Sequence, residues 1–214
     1  WAGTVALASD YLVDGVTQTD NGPALQVGIS SGLDNGLYFG VWGSQVDFHT
    51  ESNVETDWYV GWAGGGEKVS YDLGVVRYIY LGHGDGFDFV EYTAALTVAD
   101  TTLKILHSTN YAGSGINSDR VNLKHTFALN DSWSIPVEVG GEFFDEPFDF
   151  GAAVDDSFGY IKLGLGYTVK NWYFEGSYNA TNLDAAYPGA DKDAIAADGK
   201  FVLMATYNFT LGKS

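Results

Sequence analysis

The chain has no cysteine, only 4 prolines and 1 methionine, and just 10 basic side chains against 28 acidic ones. Without cysteine there is neither a disulfide framework nor a thiolate metal site. So few basic groups argue against nucleic acid as a partner, because a phosphate backbone is met with Lys and Arg. No run of about 18 uncharged apolar residues occurs, which removes a transmembrane helix. A positively charged start leading into an apolar core is also missing, so any export signal is expected to have been removed or never present. Helical periodicity is scarce, and the one stretch that could hold a short helix, 184–197, contains Pro188 and Gly189. What the chain does have, in 214 residues, is 28 glycines, 6 Trp, 14 Tyr, 13 Phe and a net charge of −18. A 45% hydrophobic content is too apolar for disorder. The length suits one β domain over 1–214.

Apolar and aromatic residues alternate with period two in short runs bounded by Gly, Asn and Asp. The pattern predicts strands at 3–13, 23–33, 36–48, 55–63, 68–81, 87–98, 101–111, 118–129, 132–144, 157–169, 172–182 and 199–211. Long and short connections then take turns along the chain. Tight turns such as Asp34-Asn35, Ala99-Asp100, Asn130-Asp131 and Lys170-Asn171 fall at one end of the sheet, as two-residue hairpins require. The long, Asp- and Gly-rich connections fall at the other. An antiparallel up-and-down transmembrane β-barrel has this asymmetry, with short periplasmic turns, long acidic extracellular loops and an even strand number, here about twelve.

A soluble sandwich alternates in the same way, and three features favour lipid instead. The apolar series are long, as in Val90, Tyr92, Ala94, Leu96 and Val98, or Leu163, Leu165, Tyr167 and Val169. Aromatics gather near strand ends, in Trp58-Tyr59, Trp133, Phe143-Phe144, Trp172-Tyr173 and Tyr207/Phe209, where interfacial girdles are expected. A barrel of this strand number is too wide for ordinary side chains to fill, so inward polar groups can be solvated. Parity then assigns Asp10, Asp14, Gln26, Asp72, Glu91, Lys104, Lys124, Glu138, Glu142, Lys162 and Glu175 to the pore lining. The resulting wall carries more acid than base and predicts a modest preference for cations. The alternative for each residue is a cross-strand ion pair that only holds the barrel's shape. Two places strain the pattern. Strand 36–48 has apolar residues on both faces, which suggests a bulge near Gly43, and Arg77 falls among Leu73, Val75 and Ile79 on the lipid side. There it either snorkels at an interface or marks a register off by one.

Catalytic constellations are lacking. His49, His83, His107 and His125 have no metal-ligand spacing, and there is no Gly-x-Ser-x-Gly elbow. His83 beside Asp85 offers only the germ of a rim hydrolase, and Gly82 to Gly86 reads as a glycine-rich turn. The carboxylates of Asp145-Glu146, Asp155-Asp156 and Asp191/Asp193/Asp198 match no calcium loop. No catalytic residue, metal ligand or cofactor is therefore expected.

One region is more specific than composition. The segment Ser9-Asp10-Tyr11 through Val13-Asp14-Gly15-Val16-Thr17-Gln18-Thr19 and Pro23-Ala24-Leu25-Gln26 is followed by Gly40-Val41-Trp42-Gly43-Ser44-Gln45-Val46-Asp47-Phe48. It resembles the TorF family of porins, proteobacterial outer-membrane proteins long known only as conserved hypotheticals. The close match covers about the first 48 residues, with looser similarity at Tyr71 to Val75, Arg77 to Tyr80 and Glu91-Tyr92. Asp14 stands where the family carries Arg, Gln45 where it carries Asn, and Leu81 where it carries Pro. Loss of that Arg fits a more cation-friendly pore. Five residues follow Phe209, which takes the place of the usual terminal aromatic.

The resemblance implies an outer-membrane, porin-like protein of a Gram-negative bacterium. The combined expectation is a narrow passive channel for small hydrophilic solutes or ions, with loop 145–156 or 183–198 as its constriction. Its partners would be membrane lipids and lipopolysaccharide, and the sequence implies no particular oligomer. The rival readings are a plugged structural or adhesive barrel, a rim hydrolase near His83 and Asp85, and a soluble β-sandwich.

Overall fold

Among the described residues period-two alternation produces fourteen strands, twelve of which close on themselves. A computed structural model describes residues 1–82, 86–150, 153–183 and 199–212. The barrel strands are β1 (Ala2–Ala8), β4 (Ala24–Gly32), β5 (Leu37–Gln45), β6 (Val54–Gly65), β7 (Val69–Leu81) and β8 (Phe89–Val98). They continue with β9 (Thr101–Ser108), β10 (Ser118–Ala128), β11 (Trp133–Asp149), β12 (Val154–Val169), β13 (Trp172–Thr181) and β14 (Lys200–Thr210). Each is antiparallel to its neighbours, and β1 closes the ring by pairing with β14, Ala2 opposite Thr210 and Ala8 opposite Met204. Closure satisfies every ladder without leaving an edge, the condition for a sheet in lipid.

The outer face is apolar and uncovered. Leu163 and Leu165 are 53% and 48% exposed, Phe201 and Leu203 82% and 68%, whereas a sandwich would bury such residues in its core. Aromatic pairs cluster at the short-turn end: Trp62 with Tyr71, Trp133 with Tyr167, and Trp172 with Tyr207, at 5.1, 4.7 and 5.0 Å between ring centroids. The girdle is thus clearest at one rim. Tyr59, Phe144 and Tyr173 are not part of it. The Tyr59 ring lies over Gly40, Phe144 sits in an interior cluster, and the Tyr173 hydroxyl donates to Glu175.

The expected bulge at Gly43 is absent. Gly43 pairs in continuous register with Val27 and Thr56, and Tyr38 and Trp42 simply face inward. Tyr38 fits because Gly61 across the pair has no Cβ to meet its ring. The shift in register lies in the β11–β12 ladder, between Phe143 and Phe148. Arg77 does point outward, and its guanidinium reaches the buried Asp88 at 3.1 Å. Asp88 also accepts the Tyr80 amide at 2.9 Å. The register was sound, and the charge is neutralised toward the long-loop rim.

The first expected strand, 3–13, is the one that fails. β1 stops at Ala8, and the chain turns into the bore as a two-stranded hairpin, β2 (Leu12–Val13) and β3 (Val16–Thr17). Asp14 and Gly15 form its tip, with φ of 52° and 88°. Paired positive φ values define the turn whose twist suits a two-residue hairpin, and Asp-Gly is among its favoured sequences. A Cβ on Gly15 would come within 2.8 Å of Thr181 Cβ, so glycine is needed for space as well. The 3₁₀ turn Tyr111–Gly113 caps the same end of the bore.

Candidate functional site: the charged bore

The inward series divides into two tiers along the barrel axis. In the outer tier, near the long loops, the hairpin tip meets Arg120 of β10. Arg120 Nη1 donates to Asp14 Oδ2 at 2.6 Å and Nη2 to Glu91 Oε1 of β8 at 2.7 Å. Glu91 also accepts from the Tyr78 hydroxyl at 2.6 Å, and Glu142 accepts from Ser118 Oγ at 2.7 Å. On the facing wall the Tyr11 hydroxyl donates to Glu55 at 3.1 Å, and its ring meets Trp42 edge to face. Glu55, Glu91 and Glu142 are each 1–2% exposed, so water does not reach them. Arg120 Nε and Asp57 Oδ1 are buried without a hydrogen-bond partner among the described residues. The hairpin is anchored at its base as well. Asp10 Oδ1 accepts from Thr17 and Thr19 hydroxyls at 2.6 and 3.1 Å, and Lys200 Nζ stands 3.8 Å from Asp10 Oδ2.

Above this tier the bore is filled with rings. Phe144, Phe158, Tyr160 and Leu183 form one buried cluster, and Val46, Tyr80 and Phe89 form another. Tyr111 packs against both. Burial, and then the nearby Glu142 carboxylate, push the Tyr111 hydroxyl well above its usual range, so it stays neutral.

The inner tier is different. A cavity of about 330 Å3 lies beneath the hairpin, and Asp10, Asp14, Gln26, Glu138, Lys162 and Glu175 are on its wall. Lys162 Nζ pairs with Glu175 Oε1 at 2.6 Å, and Glu175 Oε2 accepts from Tyr173 at 2.7 Å. Glu138 stands opposite both Lys124 and Lys162 in register, yet it accepts from Tyr160 at 3.0 Å and Asn122 at 3.4 Å instead. Asp72 accepts from Tyr38 at 2.8 Å. Lys104 and Lys124 share the inward parity of β9 and β10 and have no ion pair among the described residues. Nine of the eleven side chains lie on barrel strands and Asp10 and Asp14 on the segment that turns into the bore, and among them Asp14 with Glu91, through Arg120, and Lys162 with Glu175 are bound together.

The residues that organise the outer tier were missed by the sequence reading: Arg120, Tyr11, Glu55, Asp57 and Tyr78. Arg120 has the parity of Lys124, and Val13-Asp14-Gly15-Val16 carries a hairpin signature, so both signals were present. Among the described residues, the segment 9–23, which was not among the two loops expected to narrow the bore, turns into it as the β2–β3 hairpin. From the first of those, Phe148 and Phe150 add rings to the outer cluster, while 184–198, with Asp191, Asp193 and Asp198, lies outside the described residues. His83 and Asp85 also lie outside them. Among the described residues one group could hold a metal: Asp20, Asp47 and His49, exposed on two outer connections, with His49 Nε2 3.2 Å from Asp20 Oδ2.

The family described as "Bacterial protein of unknown function (Gcw_chp)" matches residues 1–209, and the chain belongs to it. No curated protein matches. Among solved structures, a NanC porin is similar over 98% of this chain and 99% of its own, at 11% identity and a TM-score of 0.64. A KdgM porin is similar over 98% and 100%, at 12% identity and a TM-score of 0.59. KdgM in complex with disordered oligogalacturonate has a TM-score of 0.55 at 11% identity. Identities this low establish a shared porin-type barrel and nothing finer.

Proposed function

We propose that this Gcw_chp family member is an outer-membrane passage for small hydrophilic solutes in a Gram-negative bacterium, held narrow or shut by the hairpin of its first connection. The family portrait suggested by the opening residues, a TorF-type porin, points the same way, as does the kinship of fold with NanC and KdgM. The observation that carries the reading is the contact between Asp14 and Arg120, made by a tip reaching across a bore whose inner half is a charged cavity. Beneath the shell of rings the hairpin tip is held by an ion pair whose Arg120 Nε has no hydrogen-bond partner among the described residues, an arrangement less costly to open than a fully satisfied one. Of the eleven side chains read as pore lining, the nine on barrel strands serve as its wall, and the acidic excess of the bore favours cations. The acidic loops would gather divalent cations, and through them lipopolysaccharide, around the mouth.

A second reading, a permanently plugged structural barrel, draws on the water-inaccessible outer carboxylates. Planar-bilayer recording of the refolded protein separates the two. Replacing 11–20 by a four-residue Gly-Ser turn is geometrically simple, because Ala8 and Ala24 are already paired. The wild-type barrel is expected to show small or rare conductance steps, and the shortened one larger, cation-preferring steps. A shortened barrel that folds and remains silent would sink the passage and leave the structural barrel.

A further inference from the structure

On the outer side of the hairpin lies another cavity, of about 290 Å3, which a passage for hydrophilic solutes does not explain. Phe48, Tyr80 and Phe87 line one side and Phe148 and Phe150 the other, with Tyr111 also on the wall. The rings brace one another edge to face: Phe48 with Phe87 at 5.9 Å and 79°, Tyr111 with Phe148 at 5.0 Å and 83°, Phe148 with Phe150 at 4.8 Å and 72°. Such interlocking presets the shape of the space. Residues 16–18 of the hairpin segment complete the lining, so an occupant touches the segment that narrows the bore.

Size and charge restrict the occupant. An apolar cavity of about 150 Å3 takes up benzene, so this volume admits a single ring with a short substituent. Among the described residues no Lys, Arg or His lines it, and Asp149 is the one charged side chain on its wall. A carboxylate ligand would be desolvated there without a counter-charge. Gln18 and Thr50 supply amide and hydroxyl groups to meet one polar substituent, the Thr17 hydroxyl being held by Asp10. A sugar would lose its hydration to a wall made mostly of rings. We propose that this cavity binds small uncharged aromatic solutes, single rings bearing a hydroxyl or amide, and captures them at the outer mouth. The proposal rests on the passage reading and names a solute class for it.

Isothermal titration calorimetry of the refolded barrel in lipid nanodiscs tests the site without requiring conduction. Benzyl alcohol should give saturable binding, benzoate should bind about tenfold more weakly or worse because its charge is unmatched, and glucose should give no heat. Phe148→Ala should weaken benzyl alcohol severalfold. Thr50→Phe, which fills the space and keeps the rings, should remove the saturable component while leaving partition into lipid unchanged. Heat-modifiable mobility on unheated gels verifies that each variant is folded, with Phe148→Leu as the milder substitute. Equal affinity for benzoate, or binding that both folded variants retain, overturns the site. Binding by a barrel whose shortened form stays silent in bilayers would overturn the passage and keep the site. Conduction without binding would do the reverse.

Discussion

The two halves of the bore are built from the same alternating strands and the same kinds of inward side chain, yet they end in opposite states. In the outer half, Glu91, Glu142 and Arg120 are sealed from water by the hairpin and a shell of rings. In the inner half, Lys162, Glu175 and Glu138 face a cavity. The difference comes from the connections rather than the strands. At the outer end long connections such as 9–23, 46–53 and 109–117 supply material that can fold inward, while turns such as 99–100 and 170–171 at the inner end supply none. A wall that would be hydrated everywhere thus becomes a plugged compartment above and an open one below. Charge has different consequences in each. Removing one member of a buried pair strands its partner, whereas water replaces a lost partner in a solvated one.

Stability should show this contrast most strongly. Arg120→Met leaves Asp14 and Glu91 buried together without a cation, and should cost about 3–5 kcal/mol. Lys162→Met takes a one-third-exposed cation from the buried Glu175, which keeps the Tyr173 hydroxyl and borders the cavity, and should cost less, about 1–2 kcal/mol. Urea unfolding in liposomes, followed by mobility on unheated gels, measures both. Comparable losses would mean that the inner cavity is not hydrated or that the outer seal is not tight, and the distinction between the halves would fall.

How far the halves were legible beforehand follows the same division. The strands were, because lipid outside and polar groups inside impose a strict period of two: β7 begins one residue after its expected start, and β13 ends one residue before its expected end. In the inner tier parity made the shared face legible but not the pairing: Lys162 is opposite Asn179 and Glu175 opposite Gly166, so their ion pair is diagonal across the ladder. The outer tier was not legible. Asp14 and Arg120 are 106 residues apart, and no alternation rule couples a turn tip to a distant strand. Reading 3–13 as one strand concealed the Asp-Gly turn, although its own residues announce it. At β5 the error was the reverse. Tyr38 and Trp42 looked like lipid-facing side chains, because hydrophobicity alone does not distinguish a lipid-facing ring from one folded over glycine inside.

An intermediate effect is expected at the rim that separates the halves from the surface. Asp88→Asn keeps an acceptor for the Tyr80 amide but removes the counter-charge of Arg77. Arg on a lipid face costs about 2–4 kcal/mol at the midplane and near zero at an interface. The loss for Asp88→Asn, measured by the same unfolding assay, should be about 1–2 kcal/mol, and Arg77→Leu in addition should recover most of it. A double variant no better than the single one would mean that Asp88 acts through the backbone of β7 and not through Arg77.

The smallest effects belong to the inner tier, and they should be visible in ion selectivity rather than in folding. Lys124 is exposed and has no ion pair among the described residues, while Glu138 is held by Tyr160 and Asn122. Lys124→Gln should change stability by no more than about 0.5 kcal/mol. In the barrel shortened at 11–20, where both halves are hydrated, the same change removes a positive charge from the wall and should move the reversal potential toward stronger cation preference. Glu138→Gln should move it the other way, because the wall potential follows the sign of its fixed charges. Raising the salt should shrink both shifts together, since charges facing water are screened over about 10 Å at 0.1 M. Shifts that ignore salt would place these residues in a dry environment, and the inner half would then have to be read like the outer one.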